Sequence, residues 1–450
     1  MIKVITYGTY DLLHEGHVNL LRRAKALGDY LIVGVTNDNF DRERGKLNVV
    51  SNVLERVAAV QALGIADKII IEDYVGQKID DIQKYDVDIF AIGSDWVGAF
   101  DYLKEYCDVV YLPRTEGISS TMLRAEMGTT LRLGVAGCGR IAERFISESE
   151  KVEAVKIVSL YDVNRSAAQR YAELAVGAEV AGSYHELVEA VDAVYIATPH
   201  VCHYEQAKYA LEQGRHVLCE TPLVLHGGQA RELYRLAEQK GLVLLEANKT
   251  AYSPAFNHLI SLIKSGLIGD VVGIDASESK LWAEEQLKRE LDAELGGGSL
   301  YEMGSYPLLP IVRLLGTDIK NVNIYSRLNE NNVDVYTRGV VQYGKAVASF
   351  QLGLGVKTEG NLVISGTKGY AYVPAPWWKT DYFELRYEDQ NLNKKYFYAW
   401  DGAGLRYEIQ EFASCIINKR LSSSRLRPEE TICMTDIFQQ FAERKNFNEI

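Results

Sequence analysis

The chain reads as α/β: two successive doubly wound parallel-sheet units, then a segment whose strands are joined by tight turns. Three observations predict this. Short apolar runs alternate with helix-periodic stretches from residue 1 to about 127. The alternation restarts at Leu131-Arg-Leu-Gly-Val-Ala136, straight after Ala125-Glu-Met-Gly-Thr-Thr130. That strand runs into Gly137-Cys-Gly-Arg-Ile-Ala142, a glycine turn of the form GxGxxA.

In the first unit, Val4-Ile5 marks a strand and Val18-Asn-Leu-Leu-Arg-Arg-Ala24 a helix. Between them lies Tyr7-Gly-Thr-Tyr-Asp-Leu-Leu-His-Glu-Gly-His17. Histidines 14 and 17, three residues apart at a helix start, share one face of its first turn. Free backbone N–H groups and the positive dipole end already favour an anion there, so added imidazoles suit a polyphosphate. Tyr30-Leu-Ile-Val-Gly-Val-Thr36 reads as a buried parallel strand, Asn52 to Leu63 as a helix, and Lys68–Ile71, Asp88–Gly93 and Asp108–Leu112 as further strands. Ligands of such a sheet bind beyond the carboxyl ends of its strands.

A chain of 450 residues exceeds one core and implies on the order of two to four domains, here placed at 1–127, 131–250 and 251–450. The net charge of -12 excludes a general nucleic-acid or anionic-membrane binder, so phosphate ligands must be held by local donors. Met1 to Thr6 reads as a first strand rather than a signal peptide, and no run is long and apolar enough to cross a membrane. The cysteines at 107, 138, 202, 219, 415 and 433 form no CxxC pair, which predicts free thiols in a cytoplasmic protein and no metal cage.

Gly8-Thr-Tyr-Asp-Leu-Leu-His-Glu-Gly-His17 resembles the GTFDLLHxGH signature of the cytidylyltransferases. Arg114-Thr-Glu-Gly-Ile-Ser-Ser-Thr121 resembles their RTxGISTT motif, with Ser120 for a threonine, and Ile92-Gly-Ser-Asp-Trp96 their GDDW segment, with Ser94 for an aspartate. The resemblance spans the first unit and is nearest to the glycerol-3-phosphate cytidylyltransferases. It implies CTP with magnesium carried on the triphosphate, a polyol phosphate acceptor, and pyrophosphate as leaving group. It implies catalytic roles for His14, His17, Lys46 and Arg114. Nucleotide contacts would come from Thr9, Tyr10, Asp11, Gly16, Arg44, Asp95, Thr115, Gly117, Ile118, Ser119, Ser120 and Thr121. CDP-linked products of this family feed teichoic-acid-like or capsule polymers.

In the second unit, Val155–Tyr161 forms the strand after the glycine turn and ends at Asp162, roughly 20 residues on, where an acid meets a dinucleotide ribose. That favours NAD, whereas Arg165 nearby suits the NADP 2′-phosphate. Strands Asp192–Ala197 and His216–Cys219 lead into Thr198-Pro-His-Val-Cys-His203 and Glu220-Thr-Pro222. Glu246 to Pro254 and Gly296-Gly-Gly-Ser-Leu-Tyr-Glu-Met-Gly-Ser-Tyr306 follow. This order resembles the Gfo/Idh/MocA oxidoreductases. The resemblance implies a Rossmann domain, then an α/β domain with an open, mostly antiparallel sheet that often mediates dimerisation, and hence a homodimer or homotetramer. Residues 333 to 373 alternate as strands and turns, and Leu405 to Asn418 reads as a helix. Cofactor contacts are expected from Gly137, Gly139, Arg140, Ile141, Asp162, Arg165, Thr198, Pro199, His203, Glu220 and Thr221.

One departure bears on chemistry. The family's Glu-Lys-Pro lysine, its acid–base group, is Thr221 here, and the later aspartate and histidine are Glu302 and Tyr306. Tyr306 is then the expected acid; Lys249 is a second candidate to restore the cation, though it reads first as a loop lysine. Two readings stay open. In one, the second unit reduces a precursor sugar phosphate, or acts on the CDP-linked product, beside the transferase. In the other, it has lost catalysis and serves as a dimerisation or cofactor-sensing module.

Overall fold

Successive apolar residues in the first unit's strands face opposite ways, so each strand feeds two layers of core. The computed structural model describes residues 1–37, 49, 51–73, 76–113, 130–281 and 289–450. It divides into two units, Met1–Thr130 and Leu131–Ile450. The first holds a parallel sheet of β1 (Lys3–Gly8), β2 (Tyr30–Thr36), β3 (Lys68–Glu72), β4 (Ile89–Gly93) and β5 (Asp108–Leu112), in the order β3-β2-β1-β4-β5. Val4, Leu31, Val33 and Val35 pack with Leu21 and Ala24 of the helix Glu15–Lys25 and Val60 of the helix Val53–Ala62. Ile5, Ile32, Phe90 and Ile92 instead join Ile82 of the helix Gln77–Tyr85 and Leu103. Each such side chain contributes about 1.5–3 kcal/mol when buried. Asn52 starts the helix Val53–Ala62 with a capping box to Glu55, satisfying two end groups at once.

The second unit repeats the plan with β6 (Leu131–Ala136), β7 (Val155–Tyr161), β8 (Glu179–Val180), β9 (Ala193–Ile196), β10 (His216–Glu220) and β11 (Leu244–Ala247). These run parallel in the order β11-β10-β9-β6-β7-β8. Residues beyond 270 form a nine-stranded sheet that is mostly antiparallel. Its interior strand Val271–Lys280 runs parallel to Val347–Leu354 and antiparallel to Leu362–Gly366. The α/β class with a mixed final sheet is the one expected from sequence. Among the described residues, no helix is long and apolar enough to cross a membrane.

Both parallel sheets change direction between neighbours, at β1/β4 in the first and β6/β9 in the second. Loops there part to opposite sides and leave a crevice at the carboxyl ends of the strands. The motif residues after β1, β4, β6 and β9 fall at these two crevices.

Candidate functional site

The chain turns sharply after β1. Tyr10 and Leu12 take φ values of 55° and 45°, a region that side-chain-bearing residues enter only when their surroundings hold them. The holding groups are visible. Tyr10 is buried, and the Asp11 carboxylate accepts a hydrogen bond from the Ser51 N–H at 3.0 Å. Arg56, only 1% exposed, donates to the carbonyls of Thr9 (2.7 Å) and Thr36 (2.8 Å) through Nη1 and of Ser51 (3.0 Å) through Nε. One guanidinium thus ties together the ends of β1 and β2 and the start of the next helix. Sequence reading missed it, because an arginine inside a helical pattern reads as a solvated charge.

His14 is the N-cap of the helix Glu15–Lys25, and its Nδ1 accepts a hydrogen bond from the Gly16 N–H at 3.1 Å. The His14 and His17 rings stack with centroids 3.9 Å apart and 22° between planes, and Tyr10 meets His17 edge-on at 5.6 Å. Two parallel imidazoles over a helix N-terminus can present hydrogen bonds to adjacent oxygens of one anion. Across the crevice, a short 3₁₀ turn Ser94–Trp96 follows β4. The Asp95 side chain, and Arg44, Lys46, Arg114, Thr115, Gly117, Ile118, Ser119, Ser120 and Thr121, lie outside the described residues.

In the second unit, Gly137 has φ 92°, and a Cβ there would sit 2.6 Å from the Ala197 carbonyl carbon, so only glycine fits. At Gly139, the N-cap of the helix Arg140–Ser149, a Cβ would meet nothing within 4 Å. Open space over a helix N-terminus is a cradle that a pyrophosphate fills. At the end of β7, Asp162 accepts hydrogen bonds from the backbone N–H groups of Cys138 and Asn164, both at 2.7 Å. Arg165 is exposed at the start of the next helix, and Ile141 is half-buried. Across the crevice, the Thr198 hydroxyl donates to Gln206 at 2.6 Å, with Pro199 half-buried beside it.

His203 departs from expectation. It is fully buried, its ring nitrogens 2.9 Å from the carbonyls of Thr198 and Pro222, which leaves no surface for a cofactor. It joins two strand-end loops, and burial pushes its pKa down to about 4, as it does for His200.

A second polar cluster gathers where β10 and β11 end side by side, with Glu220 paired to Ala247. The Glu220 carboxylate accepts from the Tyr195 hydroxyl. The Thr221 hydroxyl donates to buried Glu246 at 2.8 Å, which also accepts from Ser305 at 3.1 Å and Thr431 at 2.9 Å. Lys249 is not on a loop: it opens the helix Lys249–Tyr252, its ammonium 5.8 Å from the Tyr306 ring centre. Burial and the Glu220, Glu278 and Glu408 carboxylates push the Tyr306 phenol far above its usual range. Nearby, Arg289 Nη2 donates to both Glu302 carboxylate oxygens, at 3.0 and 2.9 Å, and His200 Nδ1 donates to the Gly296 carbonyl, 2.9 Å away.

Comparison with known proteins follows the same division. Residues 5–126 match the family described as cytidylyltransferase-like, 131–248 the oxidoreductase family with NAD-binding Rossmann fold, and 256–372 the GFO/IDH/MocA C-terminal domain. The first unit is similar to glycerol-3-phosphate cytidylyltransferase of Bacillus spizizenii, 51% identical over 129 residues, covering 29% of this chain and 99% of that one. The second is similar to trans-1,2-dihydrobenzene-1,2-diol dehydrogenase of Oryctolagus cuniculus, 29% identical over 321 residues, covering 68% of this chain and 96% of that one. Its fold is shared with a 3-ketoreductase from Actinomadura kijaniata solved with NADP, at TM-score 0.64 and 23% identity, covering 71% of this chain and 99% of that one.

Proposed function

Because the chain belongs to the cytidylyltransferase family through its first unit and to the Gfo/Idh/MocA oxidoreductase family through its second, we propose that it runs two linked reactions. The first unit moves the cytidylyl group of CTP onto a glycerol- or ribitol-like phosphate. The second unit, with NAD or NADP, acts on the precursor sugar phosphate or on the CDP-linked product.

The stacked His14–His17 pair carries the first assignment. A phosphate oxygen of the acceptor attacks the α-phosphorus of CTP, the bond to the β-phosphate bridge oxygen breaks, and pyrophosphate leaves. Such a transfer needs positioning and charge neutralisation rather than a covalent intermediate. His14 and His17 hydrogen-bond the phosphate oxygens as charge builds there. Thr9, Tyr10, Asp11 and Gly16 shape the turn that receives the nucleotide. Lys46, Arg114 and the Ser119–Thr121 hydroxyls grip the phosphates, joined by Arg44, Thr115, Gly117, Ile118 and Asp95. Magnesium arrives on the triphosphate.

The open cradle at Gly139 and the poised Asp162 support dinucleotide binding in the second unit. When bound, the dinucleotide supplies or accepts a hydride. Gly137, Gly139, Arg140 and Ile141 receive its pyrophosphate, Asp162 its ribose, with Arg165 available to a 2′-phosphate. Thr198, Pro199, Glu220 and Thr221 flank the nicotinamide end. A second reading, in which this unit senses cofactor or dimerises without turnover, is favoured by Thr221, whose hydroxyl is engaged by Glu246. The protein is expected in the cytoplasm as a homodimer or homotetramer, supplying a cell-wall or capsule polymer.

The transferase assignment is tested by pyrophosphate release from CTP with glycerol 3-phosphate, ribitol 5-phosphate or neither. Release with one acceptor and not without it supports the reading; no release with any polyol phosphate overturns it.

A further inference from the structure

Resting on the redox reading above, we infer that Lys249 is the acid–base group of the second unit, taking over from a strand end beside Thr221 the task that a lysine at 221 would perform. Strands β10 and β11 are parallel neighbours with Glu220 opposite Ala247, so Thr221 and Lys249 leave the sheet at the same end, on adjacent strands. The Thr221 hydroxyl is directed onto Glu246, which collects hydrogen bonds from Ser305 and Thr431 as well. That residue is thereby engaged in structure.

Around Lys249 the polar groups have a different character. Glu408, on the helix Leu405–Ile417 that packs against Lys249–Tyr252, is fully buried, and neither carboxylate oxygen has a hydrogen-bond partner. One oxygen of buried Glu278 on the strand Val271–Lys280 and the side-chain oxygen of Asn248 are likewise unpartnered. Buried carboxyl groups without hydrogen-bond partners cost free energy unless a proton, a charge or a ligand compensates them, and burial pushes the Glu408 carboxyl well above its usual range and Glu278 up to about 7. The cation among them is Lys249, on the short helix that Leu405–Ile417 packs against and 5.8 Å from the Tyr306 ring centre; the charges of Glu408, Glu220 and Glu278 favour its ammonium and that of Lys379 opposes it. The remaining unpartnered oxygens are acceptors suited to the hydroxyls of a polyhydroxylated substrate.

Lys249 is also better matched to proton transfer than Tyr306. Burial lowers its pKa from the ordinary lysine range, against the opposing pull of Glu408, Glu220 and Glu278. The same carboxylates hold the Tyr306 proton more tightly. A donor whose affinity for the proton moves towards neutral pH is the more effective acid. In the reducing direction, the substrate carbonyl carbon receives a hydride from a reduced nicotinamide and the C=O π pair moves to oxygen. That oxygen takes a proton from Lys249 Nζ, leaving a neutral amine that solvent reprotonates. The ketone or aldehyde is reduced to an alcohol and the dinucleotide is oxidised.

The test compares wild type with Lys249→Met, Glu408→Gln and Tyr306→Phe in the full chain. NADPH binding is followed by nucleotide fluorescence, turnover by nicotinamide absorbance on ketose and aldose phosphates, and lysine reactivity by pH-dependent acylation read by mass spectrometry. The proposal predicts that Lys249→Met loses roughly 10²–10⁴-fold in kcat, with NADPH binding and the first unit's pyrophosphate release within about two-fold of wild type. Lys249 should acylate at lower pH than surface lysines. Glu408→Gln, by removing a carboxylate that stabilises the ammonium, should move the alkaline limb of the reduction profile to lower pH. Turnover retained in Lys249→Met, or an acylation profile like that of surface lysines, overturns the proposal and leaves the redox reading standing. Loss confined to Tyr306→Phe does the same. NADPH binding without turnover by wild type across sugar phosphates and CDP-linked products overturns the redox reading itself, and the proposal with it.

Discussion

His14 and His17 do different work within one stack. His14 closes the helix N-terminus through Nδ1, and His17, one turn in, lies against both His14 and Tyr10. Replacing either by alanine should lower CTP-dependent pyrophosphate release by roughly 10²-fold or more in stopped assays, while in urea His17→Ala should move the unfolding midpoint little and His14→Ala should cost about 1 kcal/mol for the lost cap. Arg56→Met should do the reverse. It leaves three carbonyls without their donor and should cost about 3 kcal/mol or more of first-unit stability in urea, before any effect on chemistry. His203 supplies a pH signature. Its pKa is about 4 when folded against 6.5 when exposed, so protonation favours the unfolded chain. The stability it contributes is complete above pH 6.5 and is lost as pH falls towards 4, by roughly 3 kcal/mol at most. His203→Gln should melt lower at pH 7 but show a shallower acid decline in calorimetry.

At the scale of elements, the glycine turn after β6 is the most constrained part of the second unit. Gly137→Ala would push a methyl to 2.6 Å from the Ala197 carbonyl carbon in a backbone region that alanine resists. NAD(P)H binding should fall by at least tenfold in fluorescence titration, while pyrophosphate release by the first unit persists. What sequence made legible follows from the same physics. Continuous apolar runs such as Leu31–Val35 and Ala193–Ile196 have one way to be buried, between two layers of helix, so the parallel strands could be read directly. The two-residue strand Glu179–Val180 and the short Leu244–Ala247 have too little pattern to announce themselves. The shared placement of the histidine pair was legible because it depends on local spacing at a helix start. Arg56, Glu246 and Glu408 were not, since each acts through partners 20 or more residues away in sequence, or through burial that no local pattern encodes. Lys249 was misplaced for a related reason: a single turn of helix after a strand has the composition of a loop.

For the whole molecule, the same sheet reversal occurs twice, with a stacked histidine pair at one crevice and a glycine turn with open space over its helix at the other. In the proposed reading each nucleotide would meet a helix N-terminus, a way for a chain of net charge -12 to receive polyphosphates through local donors. In the proposed function both units turn over and share a substrate line. The most direct measurement mixes the full chain with NADPH or NADH, a panel of ketose and aldose phosphates, and CTP, following nicotinamide absorbance and pyrophosphate together. Cofactor oxidation is expected with one sugar phosphate in the absence of CTP. Adding CTP should then release pyrophosphate in step with the polyol phosphate formed. Pyrophosphate release from supplied polyol phosphates, with no cofactor oxidation on the panel or on the CDP-linked products, would contradict it and leave the first unit as the seat of catalysis.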